Sequence, residues 1–132
     1  MKLIDKHAWI EIQDGKILST RSKGRTKYYF PGGKREAGES DFEALSREIN
    51  EELSISLIED STRFLGIFQA QADSHPDGVQ VKMTCYTGAY TGTIAAASEI
   101  EEIVWLKYQD KHLTSPVDHI IFDWLKEREL IR

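Results

Sequence analysis

At 132 residues with a net charge of −5 and 30% charged positions, the chain is sized for one domain with a real core, and it holds no repeats or low-complexity segments. The acidic balance argues against polymeric nucleic acid as a partner, no stretch approaches the ~18 apolar residues of a membrane span, and the N-terminus lacks the apolar run of a signal peptide. A lone cysteine, Cys85, excludes an intrachain disulfide and points to a reducing, cytoplasmic setting.

The first elements in chain order are a strand over residues 6–13, a turn at Asp14-Gly15 and a hairpin partner over residues 16–21. A polar, basic loop follows over residues 22–26, then an aromatic strand candidate over residues 27–30. Pro31-Gly32-Gly33-Lys34 comes next, and two consecutive glycines let backbone N–H groups approach an anion without a Cβ in the way. Such a loop suits phosphate.

A helix then starts at a cap on Ser40 or Asp41. At about 100° per residue, Phe42, Leu45, Ile49 and Leu53 form one narrow apolar stripe. Glu48, Glu51 and Glu52 stand at i, i+3 and i+4 in the sector beside it. Like charges so placed repel, and a hard divalent cation turns that repulsion into binding. Arg47, one turn before Glu51, can orient a carboxylate or hold down the loop in front of the helix.

Beyond the helix, residues 63–72 and 79–90 read as long strands around a turn at residues 74–78, and residues 103–107 as a short one. Residues 117–128 form an amphipathic helix with Pro116 just ahead of it. Cys85 lies in an alternating segment and reads as a packed core thiol. Trp9, Trp105 and Trp124 read as core or partly buried aromatics. His7, His75, His112 and His119 are scattered, with no metal-binding pattern, and His75 reads as an exposed loop residue.

The segment from Gly33 to Ile55 resembles the Nudix box, G-x5-E-x7-R-E-U-x-E-E-x-G-U, where U is a bulky aliphatic residue. Gly33, Glu39, Arg47, Glu48, Glu51 and Glu52 match, as do Ile49 and Ile55, over 23 residues. Ser54 departs from it, standing where the family has a glycine that ends the helix with φ > 0. The resemblance implies one Nudix domain over residues 1–132, of the α+β class, with a mixed sheet between helices in an α/β/α sandwich. It also implies Mg²⁺-dependent hydrolysis (Mn²⁺ as the alternative metal) of a nucleoside diphosphate linked to another group.

On that resemblance Arg47, Glu48, Glu51 and Glu52 are the catalytic residues, with Glu48 or Glu52 as general base. Glu48, Glu51 and Glu52 are metal ligands. Other members recruit a further acid from outside the box; Glu99, Glu101 and Glu102 are candidates, and the Ser98-Glu99-Ile100 segment favours Glu99. Gly32, Gly33, Lys34 and Glu39 shape or support the substrate loop. Arg21 is placed much like a phosphate-contacting arginine of MutT-like members, whereas Lys23 and Arg25 read as solvated loop charges. Markers of ADP-ribose, dinucleoside polyphosphate and NADH hydrolases are absent from their usual places, and the coenzyme A marker is only partial. Elimination leaves a MutT-like nucleoside triphosphate pyrophosphohydrolase, acting as a monomer or homodimer. The competing class is a Nudix-domain sensor of nucleotides or nucleotide sugars, which usually lacks one of the box carboxylates.

Overall fold

The structure is a computed structural model that describes residues 2–73 and 75–132. Its central sheet is mixed. Strand β1 (Lys2–Trp9) runs parallel to β7 (Val79–Thr87), while β4 (Gly32–Lys34) on one side and β6 (Arg63–Gln71) on the other pair antiparallel, giving the order β4-β1-β7-β6. A second, antiparallel sheet holds β2 (Ile12–Gln13), β3 (Lys16–Ser22) and β9 (Ile100–Leu106), and a small ladder joins β5 (Ser56–Leu57) to β8 (Tyr90–Thr91). Helices α1 (Asp41–Leu53) and α2 (Pro116–Glu127) cover the sheets through separate apolar clusters. This is the expected α+β sandwich. No helix among the described residues is long and apolar enough to cross a membrane.

Each helix buries its own stripe. Leu45, Ile49 and Leu53 of α1 pack with Trp9, Leu18 and Ile55, and Phe42 joins at the margin. Val117, Ile121, Phe122 and Leu125 of α2 pack with Ala8, Ile17, Met83 and Cys85. Strand alternation explains how one strand serves both clusters: Ile17 faces one and Leu18 the other. Cys85 is fully buried in the α2 cluster, and burial pushes its thiol pKa up, the reverse of an activated nucleophile.

The ends of α1 follow from three residues. Ser40, rather than Asp41, is the cap: its hydroxyl accepts from Glu43 N–H at 3.1 Å while the Glu43 carboxylate accepts from Ser40 N–H at 2.8 Å. At the other end Ser54 holds the left-handed backbone at φ 64°, so this serine keeps the helix stop that the family makes with glycine.

Several boundaries move. The first strand spans Lys2–Trp9 instead of residues 6–13, because parallel pairing with β7 recruits Lys2 and Leu3 although both are exposed. Residues 27–30 form no strand. Their N–H groups go to three different places, Leu113 O, Thr20 O and the Asp118 carboxylate, so no ladder can build. β7 stops at Thr87, ahead of Gly88, and β9 begins at Ile100, earlier than residue 103. Pro116 is itself the first residue of α2. The turn expected at residues 74–78 begins on Ser74, which lies outside the described residues.

Candidate active site

The loop before α1 and the helix itself are tied together by one guanidinium. Arg47 Nε and Nη2 hold the two carboxylate oxygens of Glu39 at 2.7 and 3.0 Å, Nη1 holds Glu48 at 2.9 Å, and Nη2 also donates to the Lys34 carbonyl at 3.1 Å. Glu51 and Glu36 lie further out, at 3.7 and 3.6 Å. This fork-shaped donor does both tasks open to it, orienting carboxylates and pinning the loop. The Arg47 bonds, helped by Glu36 N–H, hold the Glu39 carboxyl down to about 2. The same acids push the arginine's own pKa up.

Glu52 sits one turn after Glu48, on the inner side of the helix. It is 6% exposed, and its Oε1 accepts from Gly32 N–H at 3.1 Å. Burial raises its pKa to about 8, with added repulsion from Glu48 and Glu99 and a hydrogen bond shared with Glu99. Burial likewise raises Glu48, against the pull of Arg47 and with the push of Glu51 and Glu99. Glu99 stays low, held by Ser98 O–H, its own backbone N–H and Glu52. Glu48, Glu52 and Glu99, from two chain segments, thus lie near enough to act on one another, and Glu52 shares a hydrogen bond with Glu99. No group of three His, Cys, Asp or Glu side chains among the described residues is gathered closely enough to hold a metal ion as it stands. Ionised together these carboxylates would repel one another, and as an all-oxygen set they suit a hard cation.

The glycines of Pro31-Gly32-Gly33 make this crowding fit. A Cβ on Gly32, at φ +149°, would lie 2.0 Å from the His7 carbonyl oxygen of β1. A Cβ on Gly33 would meet the Glu48 carboxyl group at 2.6 Å. Rather than forming an open loop, these residues make β4, antiparallel to β1, and the Gly32 N–H faces Glu52. Lys34 is exposed beside them.

A cavity of about 530 Å³ opens from this point. Gly32, Gly33, Glu52 and Glu99 line one end, and Tyr29, Asp73 and His75 are also among its walls. The Asp73 carboxylate binds Lys27 Nζ at 2.6 Å and Tyr29 O–H at 2.5 Å. Arg21 is not part of the lining. Its guanidinium holds Glu102 at 3.1 Å and reaches Glu101 at 4.0 Å, while its neighbours Thr20 and Ser22 face the cavity. Glu99 is therefore separated from Glu101 and Glu102, which lie with Arg21. None of the three tryptophans lines the cavity; Trp9 is core, its indole N–H bound to Gly88 O at 3.1 Å.

The chain matches the NUDIX domain family over residues 7–125. It belongs to that family. The uncharacterised Nudix hydrolase YvcI of Bacillus subtilis is 29% identical over 97 residues, 74% of this chain but only 61% of that longer protein. Among solved structures, the E. coli ORF135 protein superposes with a TM-score of 0.73 at 27% identity, covering 96% of this chain and 92% of its own. The MutT NUDIX hydrolase of Burkholderia pseudomallei gives a TM-score of 0.76 at 22% identity, covering 93% and 98%, a likeness of fold.

Within this Nudix domain the box residues therefore fall into three groups. Arg47 clamps Glu39 and Glu48, Glu52 lines the cavity with Glu99, and Glu51 is 53% exposed on the rim. Motif spacing did not single out Lys6, His7 or Asp118. His7 is 2% exposed, lies 3.0 Å from Arg35 Nη2 and stacks on Tyr86. The alternation Ile4-Lys6-Ala8, buried at both apolar positions, was the available signal for Lys6.

Asp118, in the first turn of α2, is fully buried; its Oδ2 accepts from Phe30 N–H at 3.2 Å and its Oδ1 has no hydrogen-bond partner. Ser115 Oγ is near enough to lower its pKa a little but is itself unpaired. Desolvation dominates and lifts Asp118 from 3.8 to about 8. Because the folded pKa is the higher one, the stability carried by the neutral carboxyl is full below about pH 4. It drains away as the pH rises to about 8, at roughly 1 kcal/mol per pH unit. Chemical denaturation across that range should show Asp118→Asn gaining on the wild type with rising pH. Parallel profiles would mean that the carboxyl titrates normally.

Proposed function

We propose that the protein is a Mg²⁺-dependent nucleoside triphosphate pyrophosphohydrolase of the MutT type, contained in a single domain over residues 1–132. The observation that carries this reading is the placement of Glu52 and Glu99 on the wall of a cavity large enough for a nucleotide, with Glu48 near enough to act on Glu52. Together with Glu51 these residues would hold Mg²⁺ or Mn²⁺. Bound there, the metal supplies charge neutralisation on the diphosphate oxygens and an activated water.

The chain's own residues do the rest. Arg47 fixes the Glu48 carboxylate and, through Glu39 and the Lys34 carbonyl, keeps the loop closed against the helix. Gly32 N–H orients Glu52, whose raised pKa suits a residue that accepts a proton at neutral pH. Glu48 is the alternative base. The cavity beyond would take the nucleoside, and Gly32 and Gly33 on its wall, with Lys34 exposed beside them, would face the phosphates. Arg21 would reach phosphate only by leaving Glu102. The buried thiol of Cys85 goes with a cytoplasmic setting, and a small-molecule substrate needs no partner chain.

The sensor reading is weaker because every box carboxylate is present. The test is release of pyrophosphate and orthophosphate, with Mg²⁺, from canonical and oxidised nucleoside triphosphates, ADP-ribose, dinucleoside polyphosphates and nucleotide sugars. The triphosphates should turn over fastest. Preference for another class would move the substrate assignment, and silence from a folded, metal-binding protein would favour a sensor.

A further inference from the structure

Strand β1 carries a cation in an unexpected place. Lys6 shares its face of the strand with Ile4 and Ala8 and has Met83 of β7 as its parallel neighbour. Ile4, Phe30, Val81, Met83 and Val117 line the same cavity, together with polar and charged groups that include Arg25, Tyr29, Glu52 and Gln71. The side chain is half-buried, and desolvation and two cations, Lys34 and Arg25, push its pKa down. Asp118 and Glu52 act on it in the opposite sense, each more strongly than Arg25, and no hydrogen bond contributes.

An ammonium on an apolar wall normally snorkels to water or takes a carboxylate partner. Lys6 has no hydrogen-bond or ion-pair partner among the described residues, although a methionine of the same volume would pack there at no electrostatic penalty. Its place between the Glu52 end of the cavity and the buried Asp118 puts three N–H donors beside whatever enters. Such a donor set seeks an acceptor oxygen.

We propose that Lys6 is a substrate-recognising residue, its ammonium donating to an acceptor oxygen of the nucleotide in the cavity. That oxygen belongs either to the phosphate nearest the nucleoside or to a keto group of the base. This inference rests on the nucleotide reading above.

Calorimetric titration without metal, using AMP, GMP, CMP and UMP, separates the two sources, since adenine alone has no keto oxygen. Lys6→Met should weaken binding about tenfold or more, the loss expected of a hydrogen bond to a charged group, with a melting temperature equal to or above that of the wild type. Loss for all four nucleotides assigns the phosphate; loss confined to GMP, CMP and UMP assigns the base. Unchanged affinity in a folded Lys6→Met protein overturns the proposal. Should that variant fail to fold, Lys6→Gln serves instead: a severalfold loss upholds the role and no loss overturns it. Wild-type protein that binds none of the four would remove the nucleotide reading itself, and this proposal with it.

Discussion

Glu52→Gln is expected to lower kcat by about a hundred- to ten-thousandfold, the range for loss of a positioned acid–base group, while leaving the fold intact. The substitution is isosteric, and the amide oxygen can still accept from Gly32 N–H. What disappears is the capacity of this side chain to ionise and take up a proton beside Glu48 and Glu99. Burying a carboxyl here disfavours its ionised form, so the amide should leave the melting temperature unchanged or slightly raised. Steady-state kinetics beside a thermal melt decides the matter. A kcat within a few-fold of wild type would take Glu52 out of the chemistry, and a collapsed melt would make its role structural.

The second large effect is on stability. Gly32→Ala should destabilise the protein by about 3 kcal/mol or more, lowering the melting temperature on the order of 10 °C. Two independent causes add: the backbone at φ +149° excludes a side chain, and the new methyl group would lie 2.0 Å from the His7 carbonyl oxygen. Backbone on β1 cannot step aside without breaking its pairing with β4. Gly33→Ala is the informative contrast, because its Cβ meets only the tip of the Glu48 side chain. That variant should melt much closer to wild type yet lose activity through the displaced carboxylate. Equal melting of the two would mean that the strand yields more easily than its geometry implies.

The helical half of the site was legible from spacing alone. A 3.6-residue period places Glu48 and Glu52 beside the Leu45-Ile49-Leu53 stripe, and burial of that stripe carries Glu52 inward with it. Charge and reach made Arg47 readable too, as a donor to both the loop and the helix. Contacts across the sheets were a different matter. That Phe30 N–H would bind Asp118, 88 residues away, depends on how α2 docks, which no local pattern encodes. For the same reason residues 27–30 looked like a strand: their aromatic composition is right, but tertiary partners claim their N–H groups one by one. Ser54 shows the limit of motif matching in the other direction, since a serine adopts the φ 64° turn that the pattern reserves for glycine.

The most direct test of the account is the identity of the bond broken. With Mg²⁺ and a turned-over nucleoside triphosphate, phosphorus NMR should show pyrophosphate and nucleoside monophosphate appearing together in equal amounts, with neither product from Glu52→Gln. Orthophosphate and nucleoside diphosphate instead, or the same products from the variant, would contradict it.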